Sequence, residues 1–345
     1  MSSGTNALQH AVRKLAFGES LDAGEATQAF AVVMAGEGMP SQIAALLMAL
    51  RVKGETPDEV AGAARALRAA MTVLDAGNPE GLVDTCGTGG GSITTFNIST
   101  AAALLTAGAG ARVAKHGNRS FTSRSGSADV IEALGIAIDI PVMAMAEVLE
   151  KAGIVFMFAP TMHPAMRHVG PVRREIGVPT VMNIVGPLAN PARAGRQVIG
   201  VADDNRLELI ARSLAALGTQ HSLIVHGEPG LDEISPIGRT TVIELRDGEE
   251  RRWTLDPADL DLGPTVAGDL AGGSAAENAT LIEQLLAGRG NATARSAVLI
   301  NAAGAIYVAG LAGHFQSALT VARDAMRAGA GLDALNRLRK AAPRR

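Results

Sequence analysis

Cysteine is almost missing from this chain. Cys86 is the one thiol in 345 residues, so neither an internal disulfide framework nor a cysteine zinc cluster is available. Aromatic residues are scarce as well, at 3%, and with Ala and Gly abundant the helices are expected to pack closely through small side chains. There is no excess of positive charge. Lys and Arg number 31 against 34 Asp and Glu, a net charge of −3 with the signs interleaved, so the basic stripe that nucleic-acid binding requires is not there. Apolar runs are short or broken by charge and glycine, which argues against a membrane span. The opening MSSGTNALQHAVRKLAFGES lacks a positively charged start followed by an apolar run, and no secretion signal is expected. What remains is a cytoplasmic α/β protein, 47% apolar, with ample material for a core. At about 150 residues per domain its length suggests two domains.

Residues 6–73 read as four short helices with tight links, a small helical bundle. In TPDEVAGAARALRAAM, Thr56 is placed to cap, Pro57 to open the first turn and Glu59 to close a capping box; Asp22 and Glu25 repeat that offset. MPSQIAALLMALRVKG supplies the helix between them, ending at Gly54. The pattern changes near residue 80. GLVDTCGT (81–88) reads as a buried strand, STAAALLTAGAGA (99–111) as a helix and RVAKHG (112–117) as a second strand, a βαβ unit that implies a parallel sheet. Further strands are expected at 154–159, 196–202 and 221–227, with a hairpin in TTVIELRDGEERRWTL turning at Asp247-Gly248. Helical patterns separate them: SADVIEALG, VMAMAEVLEKAG, RLELIARSLAALG, ATLIEQLLAG and TARSAVLINAAGAIYVAG. HPAMRHVGPVRREIGVPTVMNIVGPL (163–188) is cut by prolines and glycines into short pieces expected to return to the helical bundle, a natural place for a cleft. The basic NRLRKAAPRR is expected to be a frayed end.

Between the first strand and its helix lies GTGGGSITTFN (87–97). A dinucleotide fingerprint needs a sixth-position glycine and an acid closing the next strand, and a phosphate-binding Walker loop needs a lysine after its glycines; both are missing. The physics still favours an anion. Glycines let backbone N–H groups converge, and the helix beginning near Asn97-Ile98-Ser99-Thr100 turns its free amides and positive dipole end to the same space. A tight turn with a serine cap would explain the glycines alone, but Lys115, closing the adjacent strand, tips the reading to phosphate. A second loop, KHGNRSFTSRSGSADV (115–130), repeats the small hydroxyl residues and a helix start near Ser127, which suits a ligand with two separated phosphates. HGEPGLDEIS (226–235) then sets Asp232-Glu233 on a loop, a pair suited to Mg2+, though such pairs alone are usually solvated.

Together DTCGTGGGSITTFNIST, VAKHGNRSFTSRSGSADVIEALG, HGEPGLDEIS and VRREIGVPTVMNIVGPLANP resemble the signature loops of the anthranilate phosphoribosyltransferase family, and the likeness runs nearly the whole chain. The resemblance implies an α/β nucleoside-phosphorylase-like phosphoribosyltransferase fold: a small all-helical domain, a larger α/β domain with a mostly parallel central sheet, and a cleft between them. It assigns residues 1–76, joined by about 163–188, to the first domain, and 77–162 with 189–345 to the second. It implies the second step of tryptophan synthesis from chorismate, in which anthranilate and 5-phosphoribosyl 1-diphosphate give N-(5-phosphoribosyl)anthranilate and diphosphate. It further implies two Mg2+ ions per subunit and a homodimer meeting through the helical domain. By position, the resemblance gives the phosphoribosyl diphosphate contacts as Gly87, Gly90, Gly91, Thr95, Asn97, Ile98, Ser99, Thr100, Lys115, His116, Gly117, Asn118, Arg119, Ser120, Ser123 and Ser127. Anthranilate falls to Gly87, Asn118 and Arg173, and metal to Ser99, Asp232 and Glu233. One departure stands out: the family loop usually reads G-T-G-G-D, whereas Gly91 stands where the acid would be. Altered affinity rather than lost activity is expected, since Gly91 still offers an N–H.

The amine of anthranilate is neutral at pH 7, so the difficulty lies in diphosphate departure, and no essential nucleophilic side chain is expected; Cys86 reads as a small buried residue. The planar fork of Arg173 suits the benzoate carboxylate. Two rivals share the architecture or its surface: a pyrimidine nucleoside phosphorylase, and a non-catalytic nucleic-acid-binding relative, which should be basic and lack the Asp-Glu pair.

Overall fold

The computed structural model describes residues 3–120 and 124–344, so the expectation for Ser123 lies outside the described residues. The chain divides into a helical unit (residues up to Val73, Pro160–Pro191 and Glu208–Gly218) and an α/β unit (Leu74–Ala159, Ala192–Leu207 and Thr219–Arg345).

The helical unit begins with α1 (Ser3–Ala16), α2 (Ala23–Met34), α3 (Pro40–Lys53) and α4 (Pro57–Ala70). Its start signals work as written. Asp22 and Glu25 close one capping box, Thr56 and Glu59 another, and Gly54 ends α3 at φ +89°. Glu59 does more than cap: fully buried, its carboxylate also accepts from Leu21 N at 3.0 Å and Lys53 Nζ at 3.0 Å. Gly62 lets α4 lie against α2, where an added Cβ would meet the Ala26 Cβ at 2.5 Å and Ala23 O at 2.8 Å. The 163–188 stretch forms short turns: α8 (Ala159–Met162), α9 (Gly170–Ile176) and α10 (Met182–Val185) with 3-10 turns around them. α11 (Leu207–Leu217) corrects the expected boundary, because from Glu208 it belongs to this unit rather than to the α/β unit. Arg65 Nη2 donates to Ala216 O at 2.9 Å, and Ser213 Oγ to Pro57 O at 3.3 Å, which ties it to α4.

In the α/β unit, the described residues place seven strands in one sheet: β1 (Leu82–Gly87), β2 (Arg112–Gly117), β3 (Ile154–Phe158), β4 (Arg196–Gly200), β5 (His221–Gly227), β6 (Thr240–Arg246) and β7 (Glu249–Leu255). The order is β3-β2-β1-β4-β5-β6-β7, parallel through β5 and antiparallel after it. The β6–β7 turn has Asp247 at φ +52° and Gly248 at +85°, the two positive values a tight hairpin turn of this twist needs. Helix α5 (Ile98–Gly108) joins β1 to β2 and is buried on nearly every side, as a core helix of alanine and leucine should be. α6 (Ser127–Ala133), α7 (Val142–Ala152), α12 (Ala275–Leu286) and α13 (Ala292–Val308) follow the patterns read from sequence.

Two further helices were not expected, α14 (Phe315–Arg327) and α15 (Ala330–Ala341). The basic C-terminal stretch is therefore not a frayed end. Gly108 of α5 leaves room for Ala330, whose carbonyl carbon would meet an added Cβ at 2.5 Å. Leu335 and Leu338 are buried, while Arg339 donates to Leu134 O at 2.7 Å and pairs with Glu283. No helix of the described residues is long and apolar enough to cross a membrane.

Candidate active site

Four of the parallel strands, β1, β2, β4 and β5, end in glycine: Gly87, Gly117, Gly200 and Gly227. Each makes way for something. A Cβ on Gly200 would overlap the Asp232 carbonyl, one on Gly87 would press on the Asp232 carboxylate (Cγ at 3.1 Å), and one on Gly227 would meet Glu233 O at 2.5 Å. On Gly117 it would overlap the Ser127 hydroxyl. The Asp232-Glu233 segment thus lies directly over the carboxyl ends of the central strands, where ligands of open α/β sheets bind. The sequence reading had Gly87 and Gly117 but missed Gly200 and Gly227; the signal was the repeated terminal glycine in RQVIG and HSLIVHG.

The glycine loop leaves β1 with Thr88 N bonded to Gly200 O at 2.9 Å. Gly89 (φ +69°) and Gly90 (φ +81°) then adopt consecutive left-handed conformations with no atom near a would-be Cβ, so backbone conformation alone selects glycine here. Ser92 fastens the loop to the acidic segment, its N–H donating to Gly230 O at 3.1 Å and its hydroxyl to Pro229 O at 2.7 Å. The acids reach back. Asp232 Oδ2 accepts from Gly89 N at 2.9 Å and Glu233 Oε1 from Ser99 N, in the first turn of α5, at 3.0 Å. Loop amide and helix amide are therefore both aimed at the oxygens of acidic side chains, the donor arrangement a phosphate requires.

Beneath them Lys115 is buried, 2% exposed, its ammonium donating to Thr85 O at 2.6 Å and Ser99 Oγ at 3.2 Å. Burial lowers its pKa, opposed foremost by the charge of Asp84. Burial raises Asp232, and burial together with the Asp232 charge pushes Glu233 up to about 8, against the pull of Lys115 and Ser99 N. Cys86 is only half-buried at the strand end, a correction to its expected full burial; burial and then Asp84 raise its pKa, so it stays a thiol. Two adjacent acids with raised pKa values are oxygen donors that a divalent cation would suit. Among the described residues no three His, Cys, Asp or Glu side chains gather as a metal cluster.

The remaining expected contacts divide. Thr95 bridges Ala271 at the far end of the loop, and Asn97 takes the N-cap position of α5. Ile98 is fully buried, so its side chain belongs to the core, and Thr100 is 1% exposed. In the second loop Asn118 O receives Ala128 N and Ser127 Oγ, while Asn118 Oδ1 accepts from Arg119 N at 2.8 Å. Asp129 fixes the turn by accepting from Gly126 N at 2.9 Å and Ser120 N at 3.3 Å. Arg119 is turned to α6, paired with Asp129 and Glu132 and lying 5.6 Å from the Phe158 ring centre. His116 donates its backbone N–H to Asp84 Oδ1 at 3.2 Å. Arg173, on α9 of the helical unit, is half-buried, donates to Asn183 Oδ1 at 3.3 Å, and has its pKa lowered by burial.

The chain matches the helical-bundle domain of a glycosyl transferase family over residues 9–71 and that family's a/b domain over residues 79–332. It is 49% identical over 331 residues to the anthranilate phosphoribosyltransferase of Thermomicrobium roseum, covering 95% of each chain. It is 46% identical to that of Rubrobacter xylanophilus, covering 96% of each. Among solved structures, the crystal structure of anthranilate phosphoribosyltransferase from Thermus thermophilus superposes with a TM-score of 0.90 at 40% identity, covering 96% of this chain and 98% of that one. The Saccharomyces cerevisiae enzyme in complex with PRPP and Mg gives 0.88 at 26% identity, with 99% and 98% covered. These likenesses lend no support to the phosphorylase or nucleic-acid readings. Sheet, loops and relatives agree, and the chain belongs to the anthranilate phosphoribosyltransferase family.

Proposed function

We propose that this protein transfers the phosphoribosyl group of 5-phosphoribosyl 1-diphosphate to the amine of anthranilate, the tryptophan-pathway reaction its relatives are named for. The observation that carries the reading is the convergence of Gly89 N, Ser99 N, Lys115, Asp232 and Glu233 at the strand ends. Glycine-loop amides and the first turn of α5 take the diphosphate oxygens in place of the carboxylates that now occupy them, and their dipoles oppose the charge that grows on the leaving group. Lys115 reaches the same oxygens through Ser99 and stabilises that charge from below. The half-buried Asp232 and Glu233, with the Ser99 hydroxyl, are an all-oxygen donor set that would hold Mg2+, two ions per subunit. Bound there, Mg2+ supplies neutralising charge to the diphosphate. Gly87 and Asn118 are the residues proposed to hold anthranilate and Arg173 the one proposed for its carboxylate, the positioning that brings an amine close to ribose C1. No side-chain nucleophile takes part, consistent with the protonated Cys86.

The same proposal places the protein in the cytoplasm as a homodimer meeting through its helical unit, where Phe17, Val52 and Met39 expose 85%, 80% and 63% of their surface. The direct test follows anthranilate fluorescence in a mixture with phosphoribosyl diphosphate and Mg2+. Loss that requires all three components and the protein establishes the reaction; no loss from a protein shown to be folded overturns it.

A further inference from the structure

Asn278, on α12, lies outside every motif described so far, yet its side chain reaches the glycine loop. It is 3% exposed and its amide is fully engaged. Gly273 N donates to Oδ1 at 2.7 Å, which fixes the oxygen end because a backbone N–H can only donate. Both Nδ2 hydrogens are then directed to Asn97 Oδ1 and Ser125 Oγ, each at 2.9 Å. The segment leading to Asn278 is held against the loop: Phe96 N donates to Leu270 O at 2.9 Å, and a Cβ on Gly272 would meet the Thr95 carbonyl carbon at 2.7 Å.

The consequence falls on α5. Asn at an N-cap ordinarily folds its Oδ1 onto the second or third amide of its own helix. Asn97 makes no such bond, and the Ser99 amide is met by Glu233, an oxygen from outside the helix. Ile98 N is bonded to Phe96 O and Thr100 N to Asn97 O, and the Asn97 side-chain amide donates to Ser125 O at 3.4 Å. We infer that Asn278 is a positioning residue that holds the Asn97 side-chain carbonyl off the N-terminus of α5, keeping the Ser99 amide available to the substrate diphosphate. Without Asn278, Asn97 caps its own helix and competes with the anion. The inference rests on the function proposed above and adds the device that keeps its anion site available.

Asn278→Ala and the near-isosteric Asn278→Asp, which keeps an acceptor for Gly273 but cannot donate to Asn97, test it. Each is expected to raise the KM for phosphoribosyl diphosphate about tenfold or more, as losing a charge-assisted bond should, with the KM for anthranilate within about twofold. Adding Asn278→Ala to Asn97→Ala should cause no further loss, since the side chain it restrains is gone. A merely structural role would instead lower both substrates' kcat/KM together and add to Asn97→Ala. An unchanged KM for the sugar diphosphate in whichever variant folds, or additive losses, overturns the inference. Calorimetric titration with Mg2+ and pyrophosphate reads the same amides without anthranilate. A wild type that turns over nothing but binds pyrophosphate about tenfold tighter than its Asn278 variants would sink the proposed reaction and uphold this device; equal or undetectable binding would sink the device.

Discussion

Glu59 in the helical unit and Glu233 in the α/β unit are both acids drawn out of solvent, and they are treated differently. Glu59 is fully buried and saturated, with Lys53 Nζ, Leu21 N and Thr56 N all donating to it. Glu233 has one backbone donor, Ser99 N, and a like charge beside it, and its pKa rises to about 8. The glycines differ in the same way. Gly62 serves contact between helices, whereas Gly200 serves the placement of Asp232 over a strand end. The helical unit uses these polar and small residues to close interactions, whereas at the strand ends of the α/β unit they gather acids and backbone amides at one place.

The sharpest test of that contrast pairs the two glycines. Gly200→Ala forces the Asp232 backbone to move, because the overlapped atom is a carbonyl and not a flexible side chain. Its kcat/KM should fall at least about 100-fold, the scale set by an ångström of misplacement. Gly62→Ala should cost about 1–3 kcal/mol of stability through overpacking and leave kcat alone. Turnover and thermal melts on both variants separate the cases; a Gly200→Ala enzyme within a few-fold of wild type would end the comparison.

The glutamates give the next largest effect. Glu233→Gln should lower kcat/KM about 100-fold while the melting temperature holds or rises, since a neutral amide replaces a carboxyl whose ionised form burial disfavours. Glu59→Gln should do the reverse. It leaves the Lys53 ammonium, 12% exposed, without its charge partner, for a loss of about 3 kcal/mol and unchanged kinetics.

How much of this was legible beforehand depended on whether the signal was local. Capping boxes at Asp22 and Thr56, the Asp247-Gly248 turn and every parallel strand were readable because a few adjacent residues carry each of them. The acid pair and the glycine loop were visible as motifs. That Gly89 would meet Asp232, 143 positions away, was not, because the contact exists only once β4 lies between β1 and β5 in the sheet. Ile98 came as a ligand contact from the family resemblance alone, and its side chain is buried in the core. α15 was lost for a similar reason. Its basic residues suggest solvent until Gly108, far upstream, is seen to make room for its first turn.

Arg173, proposed above for the anthranilate carboxylate, would break the division of labour if it serves that role, since it lies on α9 of the helical unit. Arg173→Ala should raise the KM for anthranilate about tenfold or more, the value of a charge-assisted pair, and move that for the sugar diphosphate less. Equal shifts would remove it from the site.

His163 carries the helical unit's pH dependence. Burial lowers its pKa to about 4, so the folded chain keeps it neutral. Above pH 6.5 it is neutral folded or unfolded and its full contribution is present. As pH falls from 6.5 toward 4 the unfolded chain takes up a proton that the folded chain refuses, and stability drops by up to about 3 kcal/mol. Urea titrations of wild type and His163→Gln across that range should show the variant with the shallower decline and equal activity at about pH 7.5.

The smallest effect is expected at Gly91. An aspartate there would set its Cβ 3.0 Å from Gly230 O and 3.6 Å from Asp232 Oδ1, a tight fit that brings a third acid to two already held above their usual pKa values. Nothing in the backbone forbids it, since Gly91 is not left-handed as Gly89 and Gly90 are. The added carboxylate should therefore change the Mg2+ concentration needed for half-maximal rate by a few-fold while kcat stays within about threefold. A rise in turnover by orders of magnitude on Gly91→Asp would mean that the α/β unit as it stands lacks part of its machinery.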